Sequence, residues 1–352
     1  TLNQAVPNQA VYLSLDDKLM YTYSMIDLAM ELEKYGVKYL FLDEVHKYPA
    51  KQKGFDWSAE IKNIYDRLPG LNIVYSGSSV LKIYKGHGDL SRRKSSYRLA
   101  GLSFREYLVL NDVYTHKEVS LTDILEQHQE ISSTITGKIK IIPHFKEYLK
   151  NGYFPFYMED PPDYYNRLNS ILNVIIETDI PAVSDISFET SMKLKKLLAA
   201  IASAVPYVPN LLHLRRELSI SDQRTLLKYL DFLEKAEVIQ ALSQKVRGKK
   251  ILQKPDKIYL GNTNLFYSLN MTGEEAGTIR ETFFNSQLSV MHHVRLPKEG
   301  DFLVDDTSVF EIGGKSKTAG QIQHLSNAFL VLDDIENGVF NRIPLWLFGF
   351  LY

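Results

Sequence analysis

The sequence predicts an α/β protein whose N-terminal part contains a parallel β-sheet. Three short apolar runs, at residues 11–15, 39–42 and 72–75, are interpreted as strands. They alternate with two stretches, at residues 25–35 and 59–68, that carry apolar residues at helical spacing. Nearly continuous apolar strands that alternate with helices are typical of a parallel sheet covered on both faces.

The pattern after this region predicts further modules. A last strand of the sheet is expected at residues 97–101, and residues 103–180 are predicted to be mainly helical. Residues 189–260 predict a helix-turn-helix followed by a two-stranded hairpin, with Ser221 or Asp222 as the N-cap of its last helix. The C-terminal part is predicted to combine helices with short strands, at residues 279–288, 290–296, 301–304, 308–312, 319–326 and 328–332.

Length and composition limit the class of protein. A chain of 352 residues is too long for one ordinary domain, and 45% hydrophobic with 24% charged residues is typical of folded, soluble proteins. The apolar stretch at residues 343–352 is shorter than the roughly 18 residues that span a bilayer, and no signal peptide is recognised. The absence of cysteine excludes disulfides and thiolate metal sites within this sequence. We therefore expect a cytoplasmic protein without membrane contact.

Two adjacent carboxylates, Asp43 and Glu44, directly follow the apolar run at residues 39–42. In nucleotide hydrolysis a first carboxylate of this kind holds Mg²⁺, and a second polarises the attacking water. The strand at residues 72–75 also ends in small polar residues, at 76–79, and the carboxyl ends of parallel strands meet at one rim. A strand that stops at a polar loop is the alternative, and the second polar strand end favours a nucleotide site.

Five segments together resemble a family of bacterial and archaeal AAA+ ATPases. They are YLSLDD (residues 12–17), KYLFLDEVHKYP (38–49), IKNIYD (61–66), NIVYSGSS (72–79) and GDLSRRKSSYRLAGLSFREYL (88–108). In that family a domain similar to PD-(D/E)xK nucleases follows the ATPase, and GNTNLFYSL, GDFLVDD and FEIGGKSK resemble its landmarks. The resemblance covers nearly the whole chain and implies an ATP-binding P-loop NTPase that uses Mg²⁺.

The resemblance implies roles for residues at the rim of the sheet. Asp43 corresponds to the Mg²⁺ carboxylate of the Walker B element, and Glu44 to the catalytic base. Ser78 or Ser79 corresponds to the polar sensor of the γ-phosphate. Arg92 or Arg93 is a candidate arginine finger that acts on a neighbour's nucleotide, and a solvated basic turn is the alternative for this pair. The nine histidines, His46 among them, are interpreted as packing or surface residues.

One motif of the family is not found in the sequence. The phosphate-binding Walker A loop, G-x-x-x-x-G-K-[ST], should precede YLSLDD, but only eleven residues stand in front of that segment. The Gly314-Lys315-Ser316 segment does not qualify, because the first glycine of the motif would fall on Val309. We expect the natural protein to carry this loop upstream of Thr1.

The C-terminal part offers an incomplete nuclease motif. PD-(D/E)xK nucleases place an Asp on one strand and an E-x-K on the next, so that the two carboxylates bind Mg²⁺ and the lysine orients water or stabilises charge. Asp301 and Glu311 occupy these places and are candidates for metal ligands, with Glu281 on a preceding helix. Gly313 stands where the lysine is expected, and the nearest lysine is Lys315. We therefore expect a nuclease-like fold without nuclease activity.

A basic loop between the strands of the predicted hairpin is a candidate for DNA contact. Six positive charges lie within 13 residues, at Lys245, Arg247, Lys249, Lys250, Lys254 and Lys257. The net charge of the chain is −1, so any contact with nucleic acid must come from such a local patch. A solvated loop or a protein-binding module is the alternative interpretation.

The sequence thus predicts four parts and one principal function. The parts are an AAA+ core (1–110), a helical lid (111–185), a winged helix (186–262) and a nuclease-like α/β domain (263–352). The predicted function is Mg²⁺-dependent ATP hydrolysis coupled to movement of the winged-helix and nuclease-like modules. The alternatives are a DNA-binding or regulatory protein with a vestigial ATPase, and a nuclease controlled by the ATPase. ATP, DNA and a protein are the partners considered.

Overall fold

The computed structural model describes residues 9–49, 56–77, 90, 92–184, 186–244, 254–269 and 276–352. The chain forms two compact units. Unit 1 comprises Thr1–Arg98 and Glu177–Ser187, and unit 2 comprises Leu99–Ile176 and Phe188–Tyr352. None of the helices in the described part of the chain combines the length and apolar composition that a membrane crossing requires.

Unit 1 contains a parallel three-stranded sheet. Its strands β1 (Ala10–Ser14), β2 (Tyr39–Asp43) and β3 (Asn72–Tyr75) lie in the order β1-β2-β3. The register places Ser14 beside Asp43 and Leu42 beside Tyr75. The sequence analysis correctly predicts these three strands and their parallel arrangement.

Two helices, α1 (Met25–Lys34) and α2 (Trp57–Arg67), connect the strands of unit 1. Each begins at a polar N-cap, Ser24 for α1 and Asp56 for α2, whose side chain accepts a hydrogen bond from a backbone N–H of the first turn. Their apolar faces pack with the strands in one hydrophobic core, which contains buried residues of both helices, such as Ala29. The α/β part of the prediction is therefore confirmed.

Glu60 is a buried carboxylate that links the two helices of unit 1. Its side chain is 3% exposed, and its Oε2 accepts a hydrogen bond of 3.1 Å from the backbone N–H of Met25, at the start of α1. The phenolic oxygen of Tyr48 lies 3.2 Å from both carboxylate oxygens. Burial and the nearby carboxylate raise the pKa of Tyr48 to about 12. Glu60 thus provides an acceptor for two donors that reach it from separate parts of the chain.

Unit 2 begins with a helical region and continues into a helical segment that ends in a hairpin. The helices of the first region are α3 (Phe104–Leu110), α4 (Leu121–Thr136), α5 (Ile141–Asn151) and α6 (Tyr164–Val174). The second segment contains α7 (Phe188–Ala202), α8 (Leu211–Glu217), α9 (Gln223–Lys235) and the antiparallel strands β4 (Ile239–Leu242) and β5 (Lys257–Leu260). Asp222 caps α9, as predicted.

The C-terminal part of unit 2 is a mixed five-stranded sheet that follows two helices. The helices are α10 (Thr263–Leu269) and α11 (Ala276–Leu288), and the strands are β6 (Val294–Arg295), β7 (Phe302–Val304), β8 (Ser308–Gly313), β9 (Ala328–Leu332) and β10 (Arg342–Pro344). The strand order is β10-β9-β8-β7-β6, parallel from β8 to β10 and antiparallel from β6 to β8. Phe284 on α11 packs against Phe302, Phe310 and Phe348.

Asn264 on α10 satisfies buried backbone and side-chain groups of the helical region. Its side chain is fully buried, and its Oδ1 accepts hydrogen bonds from the Tyr153 N–H at 2.9 Å and the Tyr164 hydroxyl at 2.5 Å. Its Nδ2 donates to the carbonyl of Leu149 at 3.0 Å. A buried amide is stable in a core only when its polar atoms have partners, and here they join the helical region to α10.

Two predicted elements are wrong. Residues 97–101 form irregular backbone and not a strand, and the Tyr97 and Leu99 side chains are 94% and 98% exposed. Residues 319–326 form turns and not a helix, because the backbone bonds from Ile322 to Ala319 and from Leu325 to Ile322 span three residues each. The strand Arg342–Pro344 is an element that the sequence analysis does not predict.

Replacement of Glu60 by leucine should destabilise unit 1. The Met25 N–H and the Tyr48 hydroxyl would each lose one acceptor and keep another, the Tyr48 oxygen for Met25 and the Tyr23 carbonyl for Tyr48. The loss should cost roughly 1 kcal/mol of unfolding free energy. Urea denaturation followed by Trp57 fluorescence, in a Trp346→Phe background, measures this change. Glu60→Gln keeps an acceptor oxygen and should lose less, and the exposed Glu33→Leu is the matched control. Equal effects of Glu60→Leu and Glu33→Leu would contradict this role.

Candidate functional site

The carboxyl ends of the three strands of unit 1 are joined by backbone hydrogen bonds. The Leu15 N–H donates to the Asp43 carbonyl at 2.9 Å, and the Ser76 N–H donates to the Leu42 carbonyl at 2.9 Å. The Val45 N–H in turn donates to the Ser76 carbonyl at 3.0 Å. These bonds extend the sheet by one residue and fix the polar side chains that follow it.

The Asp43 carboxylate is held by two hydroxyl groups from the neighbouring strands. The Tyr12 hydroxyl on β1 donates to Oδ2 at 2.7 Å, and the Ser76 hydroxyl after β3 donates to Oδ1. These bonds, that from Ser76 first and that from Tyr12 second, lower the pKa of Asp43. The carboxylate is therefore ionised at neutral pH and oriented from both sides.

Glu44 follows Asp43 in a strained backbone conformation. Its φ of 53° and ψ of 41° lie in the left-handed region, which is uncommon for residues other than glycine. A 3₁₀ turn at Val45–Lys47 begins immediately after it. The buried imidazole of His46 in this turn places Nε2 3.4 Å from Glu44 Oε2.

The two candidate arginine fingers differ in their environments. Arg93 forms a bidentate pair with Asp66 on α2, with Nε 2.9 Å from Oδ1 and Nη2 3.3 Å from Oδ2. This geometry engages the guanidinium of Arg93 within unit 1. Arg92 is exposed. Of the two, Arg92 has the accessibility that contact with a neighbouring molecule requires.

Several predicted site residues lie outside the described residues. These are the sensor candidates Ser78 and Ser79 and the candidates for DNA contact Lys245, Arg247, Lys249 and Lys250. On α9, the helix before the hairpin, Lys235 pairs with Asp231 at 2.7 Å. The described residues of this helix therefore show no separate basic surface at that end.

Three acidic residues of the C-terminal sheet region lie close together. Burial raises the pKa of Asp301 to about 6, and the charges of Glu281 and Glu311 add to this effect. The Ile312 N–H donates to Asp301 Oδ2 at 2.8 Å, and the Tyr259 hydroxyl donates to Glu281 at 2.7 Å. The structure thus brings together the two residues that the sequence nominated as metal ligands, with Glu281 beside them.

Lysine side chains neutralise much of this acidic charge. Lys317 Nζ lies 2.6 Å from Glu311 Oε1, whose side chain is 2% exposed, and Lys257 Nζ lies 3.9 Å from Glu281 Oε2. The lysine that meets Glu311 is thus Lys317, whereas Lys315 is exposed. Within the described ranges, no three His, Cys, Asp or Glu side chains are grouped so that they could hold a metal ion.

Comparison with protein families bears on unit 1 and on part of unit 2. Residues 1–108 match a family described as an AAA domain. This match supports a relationship of the N-terminal part to P-loop ATPases. It confirms the prediction that this part of the chain is similar to an ATPase. Residues 142–276 match a domain of unknown function, DUF8612, which leaves the winged helix and the nuclease-like domain as predictions.

Two individual proteins are similar to this chain. One is the uncharacterized protein MJ1637 of Methanocaldococcus jannaschii, 29% identical over 264 residues, which are 72% of this chain and 54% of that protein. The matched region thus spans about half of that relative. The other is a solved structure, the Walker-type ATPase PABY2304 of Pyrococcus abyssi, with a TM-score of 0.39 and 15% identity over 70% of this chain and 68% of that chain. A TM-score of that size does not establish a shared fold.

The sequence analysis did not identify four side chains that contact its candidate residues. Tyr12 and Ser76 bond Asp43, His46 lies beside Glu44, and Lys317 pairs with Glu311. The position of Ser76 directly after its strand indicated that it could lie near Asp43. For Tyr12 the indication was weaker, because the strand register was needed to place it near Asp43.

Asp301 should make the stability of unit 2 depend on pH. Its folded pKa of about 6 exceeds the ordinary value of 3.8, so its stabilising contribution is complete below pH 3.8 and is lost as the pH rises through 6. Relative to Asp301→Asn, the unfolding free energy of the wild type should fall by roughly 2–3 kcal/mol over this interval. Trp346 fluorescence in a Trp57→Phe background measures it.

The exposed Asp112→Asn substitution in the same unit is the matched control. It should leave the pH dependence as in the wild type, because the buried carboxylates are unchanged. If the unfolding free energies of the wild type and Asp301→Asn depend on pH in the same way, the pKa of Asp301 is not raised by folding, and the prediction is contradicted.

Proposed function

We propose that unit 1 binds ATP with Mg²⁺ and hydrolyses it. The observation that carries this proposal is the pair of carboxylates at the rim of the parallel sheet, with Asp43 oriented by hydroxyl groups of both neighbouring strands. The AAA-domain match of residues 1–108 supports the same function. Ligands of open parallel sheets bind at this rim.

Asp43 fits the role of the Mg²⁺ carboxylate. Its pKa is lowered, its side chain lies at the end of β2, and each of its oxygens accepts one hydrogen bond from a hydroxyl. A carboxylate oxygen has two lone pairs, so each oxygen retains capacity for a water molecule of a hydrated cation. A bound Mg²⁺ would neutralise negative charge on the phosphates.

Glu44 is the proposed base of the hydrolysis. In that reaction the oxygen of a water molecule forms a bond to the γ-phosphorus, and the bond from this phosphorus to the bridging oxygen of ADP breaks. The proton of the water passes to the Glu44 carboxylate, and ADP and inorganic phosphate are the products. Ser78 or Ser79 would sense the γ-phosphate, and exposed Arg92 would act on the nucleotide of a neighbouring copy.

We infer that hydrolysis in unit 1 moves the modules of unit 2. The chain passes from unit 1 to unit 2 after Arg98, returns for Glu177–Ser187 and enters unit 2 again at Phe188. A nucleotide-dependent change in unit 1 could therefore act on unit 2 through three covalent connections. The three helices and hairpin at 188–260 support a winged helix, and the mixed sheet from β6 to β10 supports a nuclease-like domain.

Replacement of Glu44 by glutamine should separate binding from hydrolysis. The amide preserves the size of the side chain but cannot take a proton from water, so kcat should fall by about 10²–10⁴-fold while ATP affinity persists. Calorimetry with Mg-ATP and a phosphate-release assay, on the protein as its gene encodes it, measure the two quantities.

The exposed Glu33→Gln on α1 is the control for the charge change and should hydrolyse ATP like the wild type. Failure of the wild type to bind Mg-ATP would refute the proposed function. Undiminished hydrolysis by Glu44→Gln would refute the role of Glu44 alone.

The nuclease-like domain is proposed to lack cleavage activity. The sequence supports this, because Gly313 stands where the motif requires its lysine, and Lys315, the nearest lysine along the chain, is exposed. Incubation of the protein with linear DNA and Mg²⁺ or Mn²⁺ should leave the DNA intact. Metal-dependent cleavage that Asp301→Ala abolishes would overturn this expectation and favour a nuclease controlled by the ATPase.

A further inference from the structure

His46 lies in the 3₁₀ turn directly after the carboxylates Asp43 and Glu44. Its side chain is 3% exposed, and its Nε2 lies 3.4 Å from Oε2 of Glu44, whose side chain is 23% exposed. The imidazole is therefore buried, whereas the carboxylate that it contacts reaches solvent. A buried histidine in this place can restrict the movement of Glu44 while the carboxylate stays accessible.

The backbone around His46 is fixed by several hydrogen bonds. The Val45 N–H donates to the Ser76 carbonyl at 3.0 Å, and the Lys47 N–H donates to the Glu44 carbonyl at 2.8 Å. Val45 itself is fully buried. Because these bonds hold the left-handed backbone of Glu44, the remaining freedom of this residue is in its side-chain torsions.

The contact with His46 limits where the Glu44 carboxylate can lie. Nε2 of His46 is 3.4 Å from Oε2 of Glu44, which is longer than the roughly 2.7–2.9 Å of a charge-assisted hydrogen bond but still a direct contact. The buried ring occupies the space on that side, so the side-chain torsions of Glu44 that would turn the carboxylate toward it are excluded.

We propose that His46 is a positioning residue that holds the Glu44 carboxylate in the orientation required for attack on ATP. This inference rests on the proposed ATPase function and adds to it a residue that neither touches the nucleotide nor transfers a proton. A base must be held within a narrow range of positions, and misplacement by about 1 Å can cost about 10²-fold in rate. His46 supplies that restraint from a rigid turn.

Two substitutions separate positioning from packing. His46→Leu retains roughly the volume of the buried ring but removes both ring nitrogens, whereas His46→Gln keeps an amide nitrogen at a similar distance from the backbone. We expect His46→Leu to lower kcat by about 10–10²-fold with KM for ATP changed by less than about twofold. His46→Gln should recover most of the lost kcat.

Two further variants test whether His46 acts through Glu44. In a Glu44→Gln background, His46→Leu should cause no additional loss of kcat, because the group that it positions is already disabled. Lys47→Met is the matched control on the same turn, since the Lys47 side chain is 46% exposed and lies near Asp16. It should hydrolyse ATP like the wild type.

A measurement without nucleotide tests the contact independently of catalysis. The ring signals of His46, assigned in ¹⁵N-labelled protein by their loss in His46→Gln, should shift when Glu44 is replaced by glutamine and stay in place in Glu33→Gln. If the wild type neither binds nor hydrolyses ATP, the proposed function fails, and this spectrum alone still decides whether the contact exists.

The outcomes that would overturn the positioning role are distinct from that failure. In a wild type that hydrolyses ATP, an unchanged kcat in His46→Leu would refute it. Equal losses of kcat in His46→Leu and His46→Gln, together with reduced thermal stability of both, would show that His46 serves packing only. An unchanged His46 spectrum in Glu44→Gln would refute the contact itself.

Discussion

The parallel register of β1, β2 and β3 is the constraint on which the candidate site depends. Alignment of Ser14 with Asp43 and of Leu42 with Tyr75 brings the residues after each strand to the same edge. A shift of one residue would turn Asp43 to the opposite face and separate it from both hydroxyl groups. The position of Asp43 relative to these hydroxyl groups therefore depends on which apolar side chains of the strands face the core. The buried Leu40 and Leu42 favour the observed alignment.

Unit 2 contains two clusters of buried polar groups that are stabilised in different ways. Around Asn264 every bond joins neutral groups, so the helical region and α10 are held together without any buried charge. Around Asp301 the groups are ionisable, and the lysines of the region offset carboxylates that burial disfavours. The first arrangement is insensitive to pH, whereas the second retains an electrostatic cost. Such a cost is common where residues serve a function, and it also occurs in ion-pair networks that serve structure alone.

Much of unit 1 could be predicted because its strands are short apolar runs and its helices show clear periodicity. Prediction failed at residues 97–101, where apolar side chains such as Leu99 lie in solvent and composition alone suggests a strand. It also failed at residues 319–326, where one buried residue, Ile322, anchors a series of turns. At the site, the carboxylates were evident from their position after a strand. Their partners Tyr12 and His46 were not, because contacts between side chains depend on register and on the path of a turn.

The division of unit 1 into two separate stretches of sequence affects how the protein can be dissected. Cleavage by a protease at any one of the three connections leaves the two units joined by the other two. A shortened chain that ends at Arg98 would lack the segment Glu177–Ser187, which belongs to the same unit. Isolation of the ATPase-like unit therefore requires a chain in which residues 99–176 are replaced by a linker, and a single truncation is not sufficient.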